Sequence, residues 1–191
     1  MIKVGLIGES PYDTEAIHNL LSKYYKNSFQ FVKLLKRVTG NELESLGKMK
    51  RLLSAEVKNE ADLSYIIYIR DLDALEDNRE AVLKRTEWFN KVKATVDTKS
   101  IFLLNIVELE ALILADIQSF NKKYKTNIKF NGDPMRKTYP KEFLMQQTRN
   151  NKKQFKESDN PELFKVLNID IVKSRCRYFQ AFLTNLDALR K

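Results

Sequence analysis

Four short apolar runs punctuate the chain: IKVGLIG (2–8), FQFVKLL (29–35), LSYIIYI (63–69) and IFLLNIV (101–107). Between them the apolar residues recur at helical spacing. Pro11 to Lys26 repeats Ile17, Leu20, Leu21 and Tyr24 at intervals of three and four, with Asp13 or Thr14 suited to cap it. Asn41 to Asn59 offers Leu43, Leu46, Leu53 and Val57. Glu76 to Lys93 turns Val82, Leu83, Trp88, Phe89 and Val92 inward, and ELEALILADIQSF (108–120) continues from the fourth run as a helix. Parallel strands need a crossover of about a dozen or more residues. The alternation therefore predicts βαβ units in an α/β fold, a three-layer, Rossmann-like core with about four mainly parallel strands. LSYIIYI, apolar at nearly every position, is the kind of strand such a sheet buries on both faces.

After Phe120 the character changes. Residues 121–140 hold Gly132 and Pro134 and show no period. Residues 141–190 read as helical, with Phe143, Leu144, Leu163, Phe164, Leu167, Tyr178, Phe179, Phe182 and Leu186 as core candidates. The expected organisation is an α/β core over 1–120 and, over 121–191, a basic loop with a helical extension packed on that core.

Acids stand where the strands end. Glu9 follows the first run, Asp71 and Asp73 the third, and Glu108 and Glu110 the fourth. In open α/β sheets ligands bind at that carboxyl edge. If the strand geometry persists, Asp71 and Asp73 point the same way, as residues i and i+2 do, and can face one ion. Magnesium (or manganese) takes one or two carboxylates, completed by water and phosphate. Glu9 can be a third ligand or a general base. In a helix Glu108 and Glu110 are about 200° apart; if the strand runs on, they share a face. Charge at a helix N-terminus is their other role. Asp116, inside ALILADI, either faces the site or marks the polar side of its helix. The ordinary alternative for a bare Asp-x-Asp is a solvated turn or a helix cap.

Scarcity narrows the chemistry. One histidine, His18, and one cysteine, Cys176, rule out a zinc site of several Cys and His ligands and a disulfide framework. His18 lies in the first helical segment and reads as a helix residue, with no nucleophile marked beside it. The five glycines form neither GxxxxGK[ST] nor GxGxxG. Carboxylates, lysines, tyrosines or a hard metal ion must carry any catalysis. No apolar stretch approaches the roughly 20 residues of a membrane span, and the N-terminus lacks the regions of a signal peptide. A cytoplasmic protein is expected.

The net charge of +9 is concentrated. Residues 121–156 hold eleven Lys/Arg against two acids, whereas the remainder is balanced at 23 of each sign. Such a segment suggests a polyanion contact surface, with Lys137, Lys141, Arg149, Lys152 and Lys153 as candidate nucleic-acid contacts. A solvated lysine-rich loop is the alternative.

At these acids the sequence resembles the TOPRIM superfamily, the Mg-dependent domains of topoisomerases, primases, OLD-family nucleases and small ribosomal-RNA maturases. Their motifs are a strand ending in Glu-Gly-x-[Thr/Ser]-[Asp/Glu] and another ending in Asp-x-Asp. Here they correspond to Glu9-Ser10-Pro11-Tyr12-Asp13 and Asp71-Leu72-Asp73, with Ser10 at the usual glycine and Tyr12 at the small hydroxyl. A TOPRIM-like group encoded beside ATPases in bacterial defence loci carries E-x-E-A-[apolar]-x-[apolar]-A-D; this chain reads Glu108-Leu-Glu110-Ala-Leu-Ile-Leu-Ala-Asp116. Pro140-Lys141 before a helix and the aromatic Cys176-Arg-Tyr-Phe-Gln-Ala-Phe add to the likeness. The resemblance implies Glu9 as general acid or base, and Asp71, Asp73 and Glu110 as metal ligands. Asp13, Glu108 and Asp116 would be in support, with Lys141 on phosphate. It implies a Mg-dependent nuclease, an anti-phage effector acting on DNA or RNA with an ATPase partner. A decayed TOPRIM-like module that only binds nucleic acid or protein is the alternative, and phosphoryl transfer on a small nucleotide a third.

Overall fold

The computed structural model describes residues 1–190. Strands β1 (Ile2–Ile7), β2 (Phe29–Lys33), β3 (Leu63–Asp71) and β4 (Lys99–Asn105) form one sheet, ordered β2-β1-β3-β4 and parallel throughout. The α/β expectation is met in class, strand number and direction. Helix α1 (Pro11–Tyr25) connects β1 to β2 on one face. Helices α2 (Gly40–Leu43), α3 (Leu46–Asn59) and α4 (Arg79–Lys93) cover the other, so the expected helix over 41–59 is broken at Ser45.

Strand alternation sorts the core into these two layers. Val4, Leu6, Ile67 and Ile69 pack with Ala16, Ile17, Leu20 and Leu21 of α1. Ile7, Ile66 and Tyr68 pack with Met49, Leu53, Trp88 and Val92. Leu83 departs from its expected inward position and is 60% exposed.

The C-terminal half is helical, as expected, but in pieces. Helices α5 (Ala111–Ala115) and α6 (Ile117–Tyr124) replace one continuous helix. After them come α7 (Pro140–Gln147), α8 (Asn160–Phe164), α9 (Ile169–Arg175) and α10 (Arg177–Ala188). Their apolar residues join the core beside α1, where Leu144, Phe164, Phe179 and Leu186 are buried with Leu6 and Ile17. Arg175 ties this half together. Its guanidinium donates to the carbonyls of Leu114, Ala115, Phe130 and Gly132, stapling the end of α5 to the 130s loop. Among the described residues, no helix is long and apolar enough to cross a membrane.

Candidate functional site

The chain moves from β1 outward to β2, then crosses back to β3 on the other side of β1. Strand order therefore reverses between β1 and β3, the position where open α/β sheets form their binding crevice. Glu9 leaves β1 and Asp71 ends β3 at this point.

Ser10 caps α1: its Oγ accepts the Asp13 N–H at 3.1 Å, and Pro11 fills the first helical position. The expected caps, Asp13 and Thr14, instead lie in the first turn, and both are buried. Ser10 thus has a structural task, holding the turn that carries Asp13. Gly8, just before, has no room for a side chain. A Cβ there would lie 2.6 Å from Thr14 Oγ1 and 3.1 Å from the Thr14 nitrogen.

Alternation along β3 sends Arg70 and Asp71 to opposite faces. Asp71 follows Ile67 and Ile69 toward α1. There its register partner Asn105 donates from Nδ2 to Asp71 Oδ1 at 2.9 Å. Arg70, 2% exposed, follows Ile66 and Tyr68 to the other layer. It lies over the Trp88 ring at 4.5 Å and pairs through Nη2 with Glu44 at 2.7 Å. Glu9 bridges the two faces: its Oε1 accepts from Arg70 Nε at 2.7 Å and from the Asp71 N–H at 2.6 Å.

Glu110 enters from the start of α5. It is 3% exposed, and Oε1 accepts from Asn160 Nδ2 at 2.9 Å. Burial lifts the Asp13 carboxyl to about 7, with Ser10 opposing and the charges of Glu110, Glu157 and Glu9 adding to the rise. Burial likewise raises Asp71 well above the carboxylate range, helped by Asp13, Glu9 and Glu110. Glu110 is raised mainly by desolvation, against its bond from Asn160. Asp13, Asp71 and Glu110 thus lie in one electrostatic neighbourhood, to which Glu9 adds its charge.

The other expected residues are placed differently. The backbone at Asp73 is left-handed (φ 58°), so the extended geometry that would align it with Asp71 ends first. Its carboxylate turns outward and binds Arg85 at 2.7 Å through Oδ2. Glu108 stands at the rim, where Oε2 accepts the Lys141 N–H at 3.3 Å. Asp116 is used structurally: it breaks the helix, caps α6 and accepts from the Ser119 hydroxyl (2.6 Å) and the Asn168 N–H (2.8 Å).

The basic segment divides as well. Lys141 lies 3.8 Å from Glu108 and 3.6 Å from Glu157. Burial pulls its pKa down, but Glu108, Glu110, Glu157 and Glu142 outweigh this and hold it above the ordinary value. Lys137 lies over the Phe143 ring. Lys152 and Lys153 line a separate basic hollow of about 610 Å³ with Lys123 and Lys125, and Arg149 is exposed.

The donor chemistry suits a hard divalent cation. Asp13, Asp71 and Glu110 offer only oxygen, and no Lys or Arg pairs directly with any of them among the described residues. Asn105 and Asn160, buried beside two of these acids, each keep an Oδ1 with no hydrogen-bond partner. Buried carbonyl oxygens next to crowded carboxylates make an environment that a cation would satisfy. Among the described residues no group of three or more His, Cys, Asp or Glu side chains is arranged to hold an ion. Of the residues expected as ligands, Asp71 is bound by Asn105 and Glu110 by Asn160, Glu9 is held by Arg70, and Asp73 faces away.

The raised Asp13 gives a pH dependence whose sign is fixed. Its folded value is about 7 against an ordinary 3.8, so the folded chain holds the proton more tightly across that window. The stabilisation is complete below about 4 and is lost as pH rises to about 7. Between pH 5 and 8 in EDTA, the melting temperature of wild type is expected to fall relative to that of Asp13→Asn. Parallel pH profiles for the two proteins would contradict this.

The family described as Domain of unknown function (DUF4276) matches residues 9–187, a span that begins at Glu9 and takes in every acid of the centre. No curated protein and no solved structure matches the chain.

Proposed function

We infer that the chain, which belongs to the DUF4276 family, is a Mg-dependent nuclease of TOPRIM type that hydrolyses nucleic-acid phosphodiesters. The observation that carries this reading is the grouping of Asp13, Asp71 and Glu110 at the switch point, with no Lys or Arg paired to them among the described residues; desolvation raises the proton affinity of each, and Glu110 adds to the rise of both aspartates. Acids gathered this way are unfavourable to folding unless they serve a ligand. Asp71 and Glu110, each oriented by a buried asparagine, would hold the ion, and Asp13 completes the set. When bound, Mg²⁺ supplies Lewis acidity, which activates water and neutralises charge on phosphate. Glu9 fastens the ends of β1 and β3 through Arg70 and the Asp71 amide. Lys141, raised above its ordinary value, keeps a positive charge at the rim for an incoming phosphate. A role as an anti-phage effector, directed by an ATPase partner in the cytoplasm, belongs to the same proposal.

Calorimetric titration of the apo-protein with Mn²⁺ tests the centre. Saturable binding accompanied by proton release is expected, because the acids must ionise to bind. Nicking of supercoiled DNA or cleavage of structured RNA with Mg²⁺ tests the activity. The engagement of Glu9 by Arg70 favours a second reading, a module that binds nucleic acid or protein without cutting. Absence of Mn²⁺ binding by wild type would select it.

A further inference from the structure

Beside the acid centre, at the same edge of the sheet, lies a cavity of about 260 Å³ lined in part by Asp73, Val107, Glu108, Thr138 and Tyr139. Three of these residues have left-handed backbones: Asp73 at φ 58°, Val107 at 63° and Tyr139 at 55°. None is glycine, and for β-branched Val107 the conformation is a genuine outlier. Strain of this kind persists only where the surroundings impose it, and it gathers at ligand clamps. Backbone bonds tie the first two turns to each other: the Asp73 N–H donates to Val107 O at 2.9 Å, and the Val107 N–H to Ala74 O at 3.1 Å. Tyr139 stands directly before buried Pro140 at the start of α7, yet is itself 70% exposed. A large aromatic side chain held in water at a cavity mouth, beside two carboxylates, contributes little to packing.

We propose that this cavity receives one unstacked base of a nucleic-acid strand. Tyr139 stacks on the face of the base, while Asp73 and Glu108 accept hydrogen bonds from its pairing edge. The proposal rests on the nuclease reading and sharpens its substrate to a strand that is single or locally opened. The volume falls just below the roughly 300–1,000 Å³ of drug-sized sites and suits one base. Asp73 uses Oδ2 for Arg85 and keeps Oδ1 without a hydrogen bond among the described residues. Carboxylate acceptors favour guanine, whose N1–H and N2–H lie side by side. They disfavour thymine and uracil, whose single ring N–H is flanked by carbonyls. Exposed Arg136 and the nearby Lys137 precede Thr138 and can meet the flanking phosphates.

Fluorescence anisotropy in EDTA tests this without cleavage, using labelled oligothymidylates that carry one central dG, dA or dC, or none. Wild type is expected to bind the dG strand at least about fivefold more tightly than the all-thymidine strand. Tyr139→Asn removes the ring and supplies a residue that tolerates left-handed backbone. It is expected to weaken dG binding about 5- to 150-fold, the range for loss of one base–aromatic stack. Tyr139→Phe should bind as wild type, and Glu108→Gln should lose the dG preference while still binding the all-thymidine strand. Equal binding of all strands by wild type, unchanged in Tyr139→Asn, would overturn the base site and leave the nuclease reading standing. Failure of wild type to bind any strand, together with no cleavage in Mg²⁺, would overturn both.

Discussion

Asp71→Asn is expected to abolish metal-dependent cleavage while leaving the apo-protein as stable as wild type at pH 8, or more so. The loss of activity should be on the order of 10³-fold or more, beyond the roughly 10–100-fold typical of removing a partner outside the metal's own ligands. The gain in stability follows from the same environment. Burial, with Asp13, Glu9 and Glu110 nearby, makes the ionised Asp71 carboxylate unfavourable, and that burden is greatest where pH is high. An amide of the same shape removes the charge and keeps an oxygen for the Asn105 Nδ2 bond. Cleavage rates and melting curves in EDTA, taken together, check the pair of outcomes. Undiminished cleavage would remove Asp71 from the centre. A lower melting temperature would mean that its charge is compensated by something other than a bound ion.

Arg70→Ala is expected to destabilise the fold by about 3–5 kcal/mol, measured by urea unfolding. The guanidinium is 2% exposed and holds Glu9 and Glu44, each at 2.7 Å. Hydrogen bonds to charged groups contribute about 1.5–3 kcal/mol each. Glu9 and Glu44 are 22% and 45% exposed at the side chain, so rehydration recovers part of that. The stack on Trp88 adds up to about 2 kcal/mol in a desolvated setting. The void left by so large a side chain adds more. Lysine does not rescue the site, because one ammonium cannot serve Glu9 and Glu44 at once while lying flat on an indole. A cost below about 1 kcal/mol would show that the network contributes little to the fold.

The strands were legible because each is a short, largely apolar run, most nearly unbroken in central β3, where a doubly covered parallel sheet requires it. The acids at their ends were legible for the same reason: a charge directly after such a run marks the sheet's edge. Which acids converge was not. Asp73 looked equivalent to Asp71 only while extended geometry was assumed, and its left-handed turn depends on bonds to the loop after β4. Asp13 stood in the motif comparison but needed the Ser10 cap to be aimed inward. Asn105 left a trace, one polar residue inside IFLLNIV, that periodicity alone could not interpret. Asn160 left none, because its bond to Glu110 spans 50 residues of sequence and exists only after α8 docks. The excess of positive charge was plain in the composition. That Lys141 would face acids, and Lys137 an aromatic ring, was decided by tertiary packing.

The adjacency of Arg70 and Asp71 on opposite faces of β3 sets how this chain can vary over evolutionary time. Loops at the rim can lengthen or shorten with little effect on the sheet. A single-residue insertion or deletion between Ile66 and Arg70 would be of another kind, since a one-residue slip moves every following side chain to the other face. It would carry a guanidinium into the acid chamber and a carboxylate onto Trp88, losing the centre and its support in one step. Lineages of this protein are therefore expected to accept substitutions along β3 far more readily than indels.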